Sequence, residues 1–408
     1  YGASIKILQK LLLKKPKLVI MVDCGSTSIE SINFLNLNNI KSIIIDHHDT
    51  NKPFPKSNAF INPKKGSSYN KYNYLCATAL TYFFLDIVIK KTNSDFKLSN
   101  FLIYVLLATV CDVMPLRKVN KIIATNVIKN FNLKDNAAFS FIFNYFDLKK
   151  KITIEDLGYL IGPIINSGGR LNCSTYGTEL LSSDSQKIIE KKSIKLIKLN
   201  NKRKKIEQNI LNEIDFEKIK NEKKKVIIYY NNNINEGIIG IIAARLKDHF
   251  NKPSIVLTKS NKFLKASARS TSEYNIGDLI KLLLENKIII SGGGHNMAAG
   301  FSIKKDNLKL LDDYIQKDYS TKITSTEFLH KYDAEISATA INSRLMNEIN
   351  KLGPFGNKNL QPVFLIKDVK FIRSKIIKDK HIAVIIKPNI GPSINSICFN
   401  SVNTDIGT

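Results

Sequence analysis

Long apolar runs are absent from this sequence. The longest, residues 101–110, suits a buried helix but falls well short of the ~18 residues that a membrane span needs. No secretory signal peptide is visible at the start of the chain. We therefore expect no membrane span, and the 408 residues are enough for about two or three globular domains.

Closely spaced cysteines are absent as well. The chain has five widely separated cysteines and no Cys-x-x-Cys pair; they are Cys24, Cys76, Cys111, Cys173 and Cys398. This spacing supports neither a zinc ribbon nor a disulfide framework. The sequence therefore predicts a protein of the reducing cytoplasm.

Acidic residues are scarce relative to basic ones. The chain has 62 Lys and Arg against 35 Asp and Glu, a net charge of +27. Such an excess attracts polyanions, of which nucleic acid is the common one. Lys, Ile and Asn are also frequent throughout, as an AT-rich genome would produce. The charge alone leaves both explanations open, so a nucleic-acid function must depend on other residues.

Two short apolar runs each end in acidic or imidazole side chains. Residues 18–23 end at Asp23, and residues 43–48 end at Asp46, His47 and His48. Short runs that are apolar throughout suit strands buried on both faces of a parallel sheet. The segment between them suits a crossover helix, which makes a βαβ unit. In such sheets the carboxyl ends of the strands form the ligand crevice, where these side chains would meet.

The rest of the chain reads as alternating helical and mixed segments. Residues 51–70 predict a surface loop, and a long amphipathic helix is predicted over about 185–220. We predict further elements as helices at 75–91 and 100–111, two or three helical pieces within 121–160, a second α/β unit with a strand at 226–230, a helix at 237–249 and a strand at 254–258, and strand-like sequence after Pro354.

The segment Asp46-His47-His48 combines oxygen and nitrogen ligands that suit manganese, or magnesium with more oxygen donors. Asp23 ends the preceding strand, and Asp112 ends the buried helix at 100–111. Each could instead be a plain strand or helix cap. Their joint occurrence favours a two-metal site, in which carboxylates bridge ions ~3.5–4 Å apart and phosphoryl transfer takes place.

Residues 162–170 have the composition of a phosphate-binding loop. They place Asn166 and Arg170 in what we predict to be a flexible turn with exposed backbone amides. Arginine binds phosphate through two parallel N–H donors. A plain loop without function is the alternative.

Residues 292–296 have a similar composition. Gly293, Gly294 and His295 are predicted to form a turn between a strand at 288–290 and a short helix of small residues, where a helix N-terminus would attract anions. Arg269 and Ser270 are weaker candidates for the same task. The basic run at 202–205 predicts a solvated helix face rather than a DNA contact.

Taken together, these segments resemble the RecJ exonuclease family of the DHH superfamily. Asp-His-His after a strand is the motif that names the superfamily, and the similar segments extend over nearly the whole chain in the family's order. They are residues 22–25, 46–48, 108–116, 162–170, 236–246, 292–295, 352–356 and 361–364.

The resemblance implies an α/β fold with a parallel sheet flanked by helices, a long connecting helix, a second α/β domain and the start of a β-barrel OB domain. The implied boundaries are 1–183 for an N-terminally truncated DHH domain, 184–222 for the connecting helix, 223–320 for the DHH-associated domain and 321–408 for a linker and partial OB domain.

The resemblance also implies function. Asp23, His47 and Asp112 would bind Mn²⁺ or Mg²⁺ at a two-metal site, Asp46 would support the cluster, and His48 would meet the scissile phosphate. The implied activity is 5′-to-3′ hydrolysis of single-stranded DNA in recombination and repair. Further contacts to substrate phosphate would come from Asn166, Arg170, Arg269, Ser270, Gly293, Gly294 and His295.

Some residues depart from the family pattern. Ile164 stands where Arg is usual, Asn235 stands where His is common, and Cys24 and Cys111 make small changes beside two aspartates. The family has an earlier strand with an Asp-rich motif, which would lie upstream of Tyr1. We therefore expect this stretch by itself to bind metal weakly and to be inactive or nearly so, whereas the full-length protein should be active.

Two alternatives are carried forward. One is a DHH phosphodiesterase that cleaves short oligoribonucleotides or cyclic dinucleotides, although such enzymes usually lack the segments at 352–356 and 361–364. The other is a non-catalytic single-strand-binding relative, against which the retained Asp and His residues argue. For the exonuclease we expect single-stranded DNA as ligand, a helicase or single-strand-binding protein as partner, and a monomer.

Overall fold

The structure is a computed structural model that describes residues 3–171, 173–323, 331–402, 404 and 407, with only the backbone of residues 67–69. The chain divides into two compact units, one formed by residues 1–132, 151–158 and 329–408 and the other by residues 133–150 and 159–328. Part of the predicted linker at the start of 321–408, residues 324–330, lies outside the described residues.

The first unit begins with a parallel sheet. Its elements up to residue 130 are α1 (Ile5–Leu12), β1 (Leu18–Val22), α2 (Ile29–Leu37), β2 (Lys41–Ile45), β3 (Ala59–Ile61), α3 (Ala77–Thr92), α4 (Leu102–Cys111) and α5 (Lys118–Asn130). The strands pair in parallel in the order β1-β2-β3, with Leu18 opposite Lys41 and Ile43 opposite Ala59. The predicted βαβ unit is confirmed.

Strand β3 corrects the prediction of a surface loop over residues 51–70. It is only Ala59–Ile61, too short to show periodicity among the surrounding prolines and asparagines. Its pairing with β2 leaves Ile44 and Ile45 at 0% and 1% exposure. This burial between two neighbouring strands explains why β2 ends in three isoleucines, residues 43–45.

The second unit combines a helical part with a five-stranded sheet. Its elements are α6 (Ala137–Tyr145), α7 (Gly162–Leu171), α8 (Thr175–Leu181), α9 (Gln186–Glu213), α10 (Phe216–Asn221), β4 (Ile227–Tyr230), α11 (Ile239–Phe250), β5 (Ser254–Ser260), β6 (Phe263–Arg269), α12 (Ile276–Glu285), β7 (Ser291–His295), β8 (Ala298–Ile303) and α13 (Leu308–Lys322). The strand order is β4-β5-β6-β8-β7, with only β4 and β5 parallel.

The predicted long helix is confirmed as α9, but it is shorter than expected. It ends at Glu213, and Asp215 starts α10 by accepting a hydrogen bond from the backbone N–H of Lys218 at 2.9 Å. Aspartate at this position satisfies an N–H donor that the first turn leaves unpaired. The residue therefore separates two helices where the apolar spacing alone had predicted one.

The C-terminal residues fold with the first unit. Their elements are β9 (Ala334–Glu335), α14 (Ser343–Lys351), β10 (Phe364–Leu365), β11 (Val369–Ile377), β12 (His381–Pro388) and β13 (Ile394–Cys398). The last three strands form an antiparallel meander in the order β11-β12-β13, which agrees with the expected start of a β-barrel. In the described parts of the chain, no helix has both the length and the apolar character that crossing a bilayer requires.

Candidate metal centre

Two aspartates continue the strands β1 and β2 at the carboxyl edge of the parallel sheet. The backbone N–H of Asp23 donates to the carbonyl of Ile45 at 2.9 Å, and that of Asp46 donates to the carbonyl of Ile61 at 3.0 Å. Asp23 then takes a left-handed conformation with φ of 60°, which is uncommon outside glycine. The chain thus turns at the strand end while the Asp23 side chain stays at the edge.

His47 lies between two carboxylates. Its Nε2 is 3.2 Å from Oδ1 of Asp23 and 3.8 Å from Oδ2 of Asp112, the residue that follows α4. Asp23, His47 and His48 each offer a ligand atom, and these atoms lie within 4.8 Å of one another. The structure therefore brings together Asp23, His47 and Asp112, which are 89 residues apart at most in the sequence.

Two buried atoms of this cluster are left without hydrogen bonds. Oδ1 of Asp23 and Nδ1 of His47 have no hydrogen-bond partner among the described residues. Buried polar groups are normally paired, and exceptions call for a bound ion or water. Carboxylate oxygen and imidazole nitrogen are suitable ligands for Mn²⁺, and more oxygen donors suit Mg²⁺. The residues present therefore fit a divalent cation.

Electrostatics at Asp112 also favour a cation. Burial raises the pKa of Asp112 above its ordinary value, His47 opposes this rise, and the negative charge of Asp23 adds to it. Two carboxylates that both lie within 4 Å of the same imidazole nitrogen repel each other, and a bound divalent ion would relieve that repulsion.

Asp46 is buried, and both oxygens of its carboxylate accept hydrogen bonds from the protein. Only 1% of the residue is exposed, and Oδ2 accepts from the backbone N–H of Ser26 at 3.0 Å. Oδ1 accepts from the backbone N–H groups of His47 and His48, at 2.8 and 3.2 Å, and from Nδ1 of His48 at 2.7 Å. Burial opposes ionisation, but hydrogen bonds from His48 and Ser26 hold the pKa of Asp46 well below its ordinary value. Asp46 thus stabilises the strand end and the His48 ring.

His48 is held from both its backbone and its ring. The hydrogen bond to Asp46 raises the pKa of His48, while burial acts in the opposite direction. Its carbonyl accepts a 2.9 Å hydrogen bond from Nδ2 of Asn62, which also donates to Oγ of Ser26 at 2.7 Å. Asn62 follows β3, so it was missed together with that strand.

The prediction of a flexible turn at residues 162–170 was wrong, because these residues form most of helix α7. Gly168 lies close to other parts of the same polypeptide. A Cβ added to it would be 2.6 Å from the Cys173 carbonyl oxygen and 3.2 Å from Cδ2 of Leu196. The glycine therefore serves close packing against α9 rather than a loop. Arg170 lies near the end of α7, and Asn166 is exposed on it.

The prediction of a turn and helix at residues 292–299 was also wrong. Ser291–His295 is strand β7, and it pairs with β8 so that Gly294 is opposite Ala299. A Cβ on Gly294 would lie 2.4 Å from that of Ala299, so the glycine permits close strand pairing. Gly293, Gly294 and His295 are exposed on this edge strand, without the helix N-terminus that was expected.

The second unit contains a cluster of arginines. Nη1 of Arg170 donates to the carbonyl of Gly237 at 2.9 Å, and an added Cβ on Gly240 would lie 3.0 Å from Nη2 of Arg269. Burial lowers the pKa of Arg170, and the positive charges of Arg203 and Arg269 lower it further. The positive charges of Arg203 and Arg269 thus act on the Arg170 guanidinium, and a group of arginines of this kind attracts an anion.

Sequence reasoning missed two residues of this cluster. The side chains of Arg203 and Glu207 are only 12% and 8% exposed, and Glu207 bonds Arg203 at 3.3 Å and Arg245 at 2.7 Å. The prediction of a solvated face at 202–205 was therefore wrong for Arg203. The signal was present, because Leu196, Asn200, Arg203, Glu207 and Ile210 follow at intervals of three and four residues on the buried side of α9.

Ser270 is placed beside the cluster, but its hydroxyl has a partner. It is 1% exposed, and its Oγ donates to the carbonyl of Tyr274 at 2.6 Å. Ile164 is fully buried, and the side chain of Asn235 accepts from the backbone N–H of Gly237 at 2.8 Å. Ile164 therefore contributes packing, and Asn235 orders the loop that contacts Arg170.

Comparison with known families agrees with this architecture. Residues 4–109 match the family model of the DHH family N-terminal domain, and residues 223–320 match that of the DHHA1 domain. Residues 332–407 match the RecJ OB domain. The fold and the aspartate-histidine cluster thus define a protein of the DHH class.

Whole-chain comparisons narrow the class. The single-stranded-DNA-specific exonuclease RecJ of Haemophilus influenzae is 25% identical over 99% of this chain and 74% of its own length, and RecJ of Escherichia coli is 24% identical over 98% and 73%. The crystal structure of Thermus thermophilus RecJ with Mn²⁺ superposes with a TM-score of 0.80 at 18% identity, over 95% of this chain and 57% of the other. The chain thus carries DHH, DHHA1 and RecJ OB domains and is similar to RecJ proteins over nearly its whole length.

Proposed function

We propose that this chain forms the catalytic part of a metal-dependent 5′-to-3′ exonuclease that hydrolyses phosphodiester bonds of single-stranded DNA in recombination and repair. The observation that carries the proposal is the convergence of Asp23, His47 and Asp112 at the edge of the sheet, in a chain with the domains of the RecJ family. The 5′-to-3′ direction and the preference for single strands rest on similarity to the RecJ relatives.

Asp23, His47 and Asp112 are the residues that would bind the metal, Mn²⁺ or Mg²⁺. A bound divalent ion lowers the pKa of water and neutralises charge on the phosphate that is attacked. Oδ1 of Asp23, which lies 3.2 Å from Nε2 of His47, and Nδ1 of His47 make no hydrogen bond among the described residues, and this supports the assignment.

His48 would contact the scissile phosphate. Asp46 binds Nδ1 of the ring at 2.7 Å, which sets the ring orientation and directs Nε2 away from Asp46. A protonated ring at this position donates to a non-bridging phosphate oxygen and stabilises the charge that develops there. Asp46 acts here as a positioning residue.

The arginine cluster of the second unit would bind backbone phosphates of the strand. The cluster consists of Arg170, Arg203 and Arg269. Nη1 of Arg203 lies 3.3 Å from the carboxylate of Glu207. The remaining proposed phosphate contacts are Asn166, Ser270, Gly293, Gly294 and His295. For Ser270 the contact would come through its backbone, because its hydroxyl already donates to Tyr274.

The C-terminal strands would hold the same DNA strand through backbone charge and base stacking, as OB domains do. Helicase or single-strand-binding partners, a monomeric state, a cytoplasmic location and the domain boundaries at 183, 222 and 320 are further parts of the proposal.

The direct test follows nucleotide release by the full-length protein from 5′-labelled and 3′-labelled single-stranded DNA, with Mn²⁺ and with chelator. We expect metal-dependent release of mononucleotides from the 5′ end. Release from the 3′ end, or turnover in chelator, would contradict the proposal. Inert long DNA with rapid cleavage of dinucleotides would instead assign the protein to the phosphodiesterases of short substrates.

A further inference from the structure

The segment that follows Asp112 contacts a distant loop of the same unit, residues 352–359, which we call the bracing loop. Four hydrogen bonds join the two segments across more than 200 residues of sequence. They run from Leu116 N to Asn357 O (2.7 Å), from Asn357 Nδ2 to Val113 O, from Arg117 Nε to Lys358 O (2.5 Å) and from Lys121 Nζ to Leu352 O (2.9 Å).

Asn357 makes two of these bonds, one as an acceptor and one as a donor. It thereby holds Val113 and Leu116 together, immediately after the carboxylate of Asp112. Val113 has φ of 54° and is 65% exposed. A β-branched residue is strained in this left-handed region, and little packing holds it there. The hydrogen bond from Asn357 Nδ2 to the Val113 carbonyl therefore stabilises the left-handed backbone conformation of Val113.

The bracing loop is ordered by its own contacts. The backbones of Gly356 and Asn359 bond each other twice, at 2.9 and 3.0 Å, and Nδ2 of Asn359 donates to the carbonyl of Pro354 at 2.9 Å. Leu116 is 2% exposed, and a Cβ added to Gly356 would lie 3.1 Å from its Cδ2. These contacts fix the conformation of the bracing loop and therefore the position of Asn357.

We infer that Asn357 is a positioning residue that fixes the carboxylate of Asp112 for metal binding, and that the bracing loop links the C-terminal strands to the metal centre. This inference rests on the proposed function, because it requires that Asp112 is a metal ligand. It extends the centre beyond the DHH domain, to a residue within the match to the RecJ OB domain.

The test measures Mn²⁺ affinity by electron paramagnetic resonance of the free ion, on full-length wild type and on Asn357→Ala and Asn357→Asp. The aspartate variant keeps the size of the side chain but loses its N–H donor. We expect both variants to bind Mn²⁺ about tenfold more weakly, which corresponds to about 1.4 kcal/mol and lies within the range for the loss of one hydrogen bond. Turnover should fall at limiting Mn²⁺ and recover at saturating Mn²⁺, with KM for DNA unchanged.

The matched control is Asn130→Ala, because Asn130 is exposed at the end of α5 and its Nδ2 donates to Oδ1 of the exposed Asn126 at 3.1 Å. It should bind Mn²⁺ like wild type. If Asn357→Ala does not fold, Arg117→Gln removes the bond to Lys358 and should weaken Mn²⁺ binding about threefold.

The outcomes are distinguishable. Mn²⁺ affinity of the Asn357 variants within twofold of wild type, even with a lower melting temperature, would overturn the inference and leave the proposed function standing. A wild-type protein that binds Mn²⁺ but does not hydrolyse DNA would overturn the proposed function, while the affinity comparison would still decide the role of Asn357.

Discussion

Asp46 accepts a 2.7 Å hydrogen bond from the imidazole Nδ1 of His48, two residues further along the chain. The same carboxylate accepts hydrogen bonds from three backbone N–H groups, so most of its hydrogen-bonding capacity is used within the protein. The first residue of the Asp-His-His motif therefore supports the other two, whereas His47 contacts the carboxylates of Asp23 and Asp112.

Replacing Asp46 should affect both stability and turnover. Asp46→Asn puts an amide N–H where a backbone donor now points, and it removes a buried charge that is fully hydrogen-bonded. We expect the free energy of unfolding to fall by about 2–4 kcal/mol, as measured by urea denaturation. Turnover below the melting temperature should also fall, because the His48 ring loses its support. The control Asp86→Asn removes only an exposed pair with Lys90 and should cost less than about 0.5 kcal/mol.

Replacing Asp112 should abolish turnover but not DNA binding. Asp112→Ala removes a carboxylate 3.8 Å from His47 and leaves the arginine cluster intact. We expect turnover to fall by about a hundredfold or more, while the Kd for single-stranded DNA in chelator stays within twofold. Fluorescence anisotropy and a nucleotide-release assay measure the two quantities. Retained turnover would refute Asp112 as a metal ligand.

Replacing Arg203 should weaken substrate binding. Arg203→Lys keeps the charge but loses the planar guanidinium that contacts Glu207 at 3.3 Å and that, in the proposed function, would bind phosphate. We expect KM for single-stranded DNA to rise about five- to tenfold, equivalent to one lost bidentate contact, with kcat nearly unchanged. Lys204→Gln changes an exposed neighbour on the same helix and is the control. Equal effects of both substitutions would reduce the role of Arg203 to general positive charge.

Gly237 should not tolerate a side chain. A Cβ there would lie 2.2 Å from the carbonyl oxygen of Arg170, so Gly237→Ala must displace that backbone. We expect a loss of about 2 kcal/mol or more in the free energy of unfolding, together with a higher KM for DNA. Gly66→Ala is the control for stability, because nothing lies within 4 Å of its added Cβ. A Gly237→Ala protein as stable as wild type would contradict the observed packing.

Sequence patterns predicted most of the elements but not their ends. The break at Asp215 and the strand Ala59–Ile61 were missed because both depend on a few residues, whereas periodicity needs a longer window. The two glycine segments were assigned the wrong structure. In each, glycine permits a close approach of neighbouring atoms, with Cys173 and Leu196 beside Gly168 and Ala299 beside Gly294, and the glycine-rich composition does not show which neighbour comes close.

The sequence by itself determined the apolar strands, the polar residues at their ends and thus the ligands of the candidate centre, because parallel strands place their carboxyl ends at one edge. Only the tertiary structure decided which of those residues meet. It separated Asp46, enclosed by N–H donors, from Asp23 and Asp112, which face His47. It also buried Arg203 with Glu207 and placed Asn357 against Val113 across 244 residues. Contacts of this kind depend on how remote elements pack, and no local pattern specifies them.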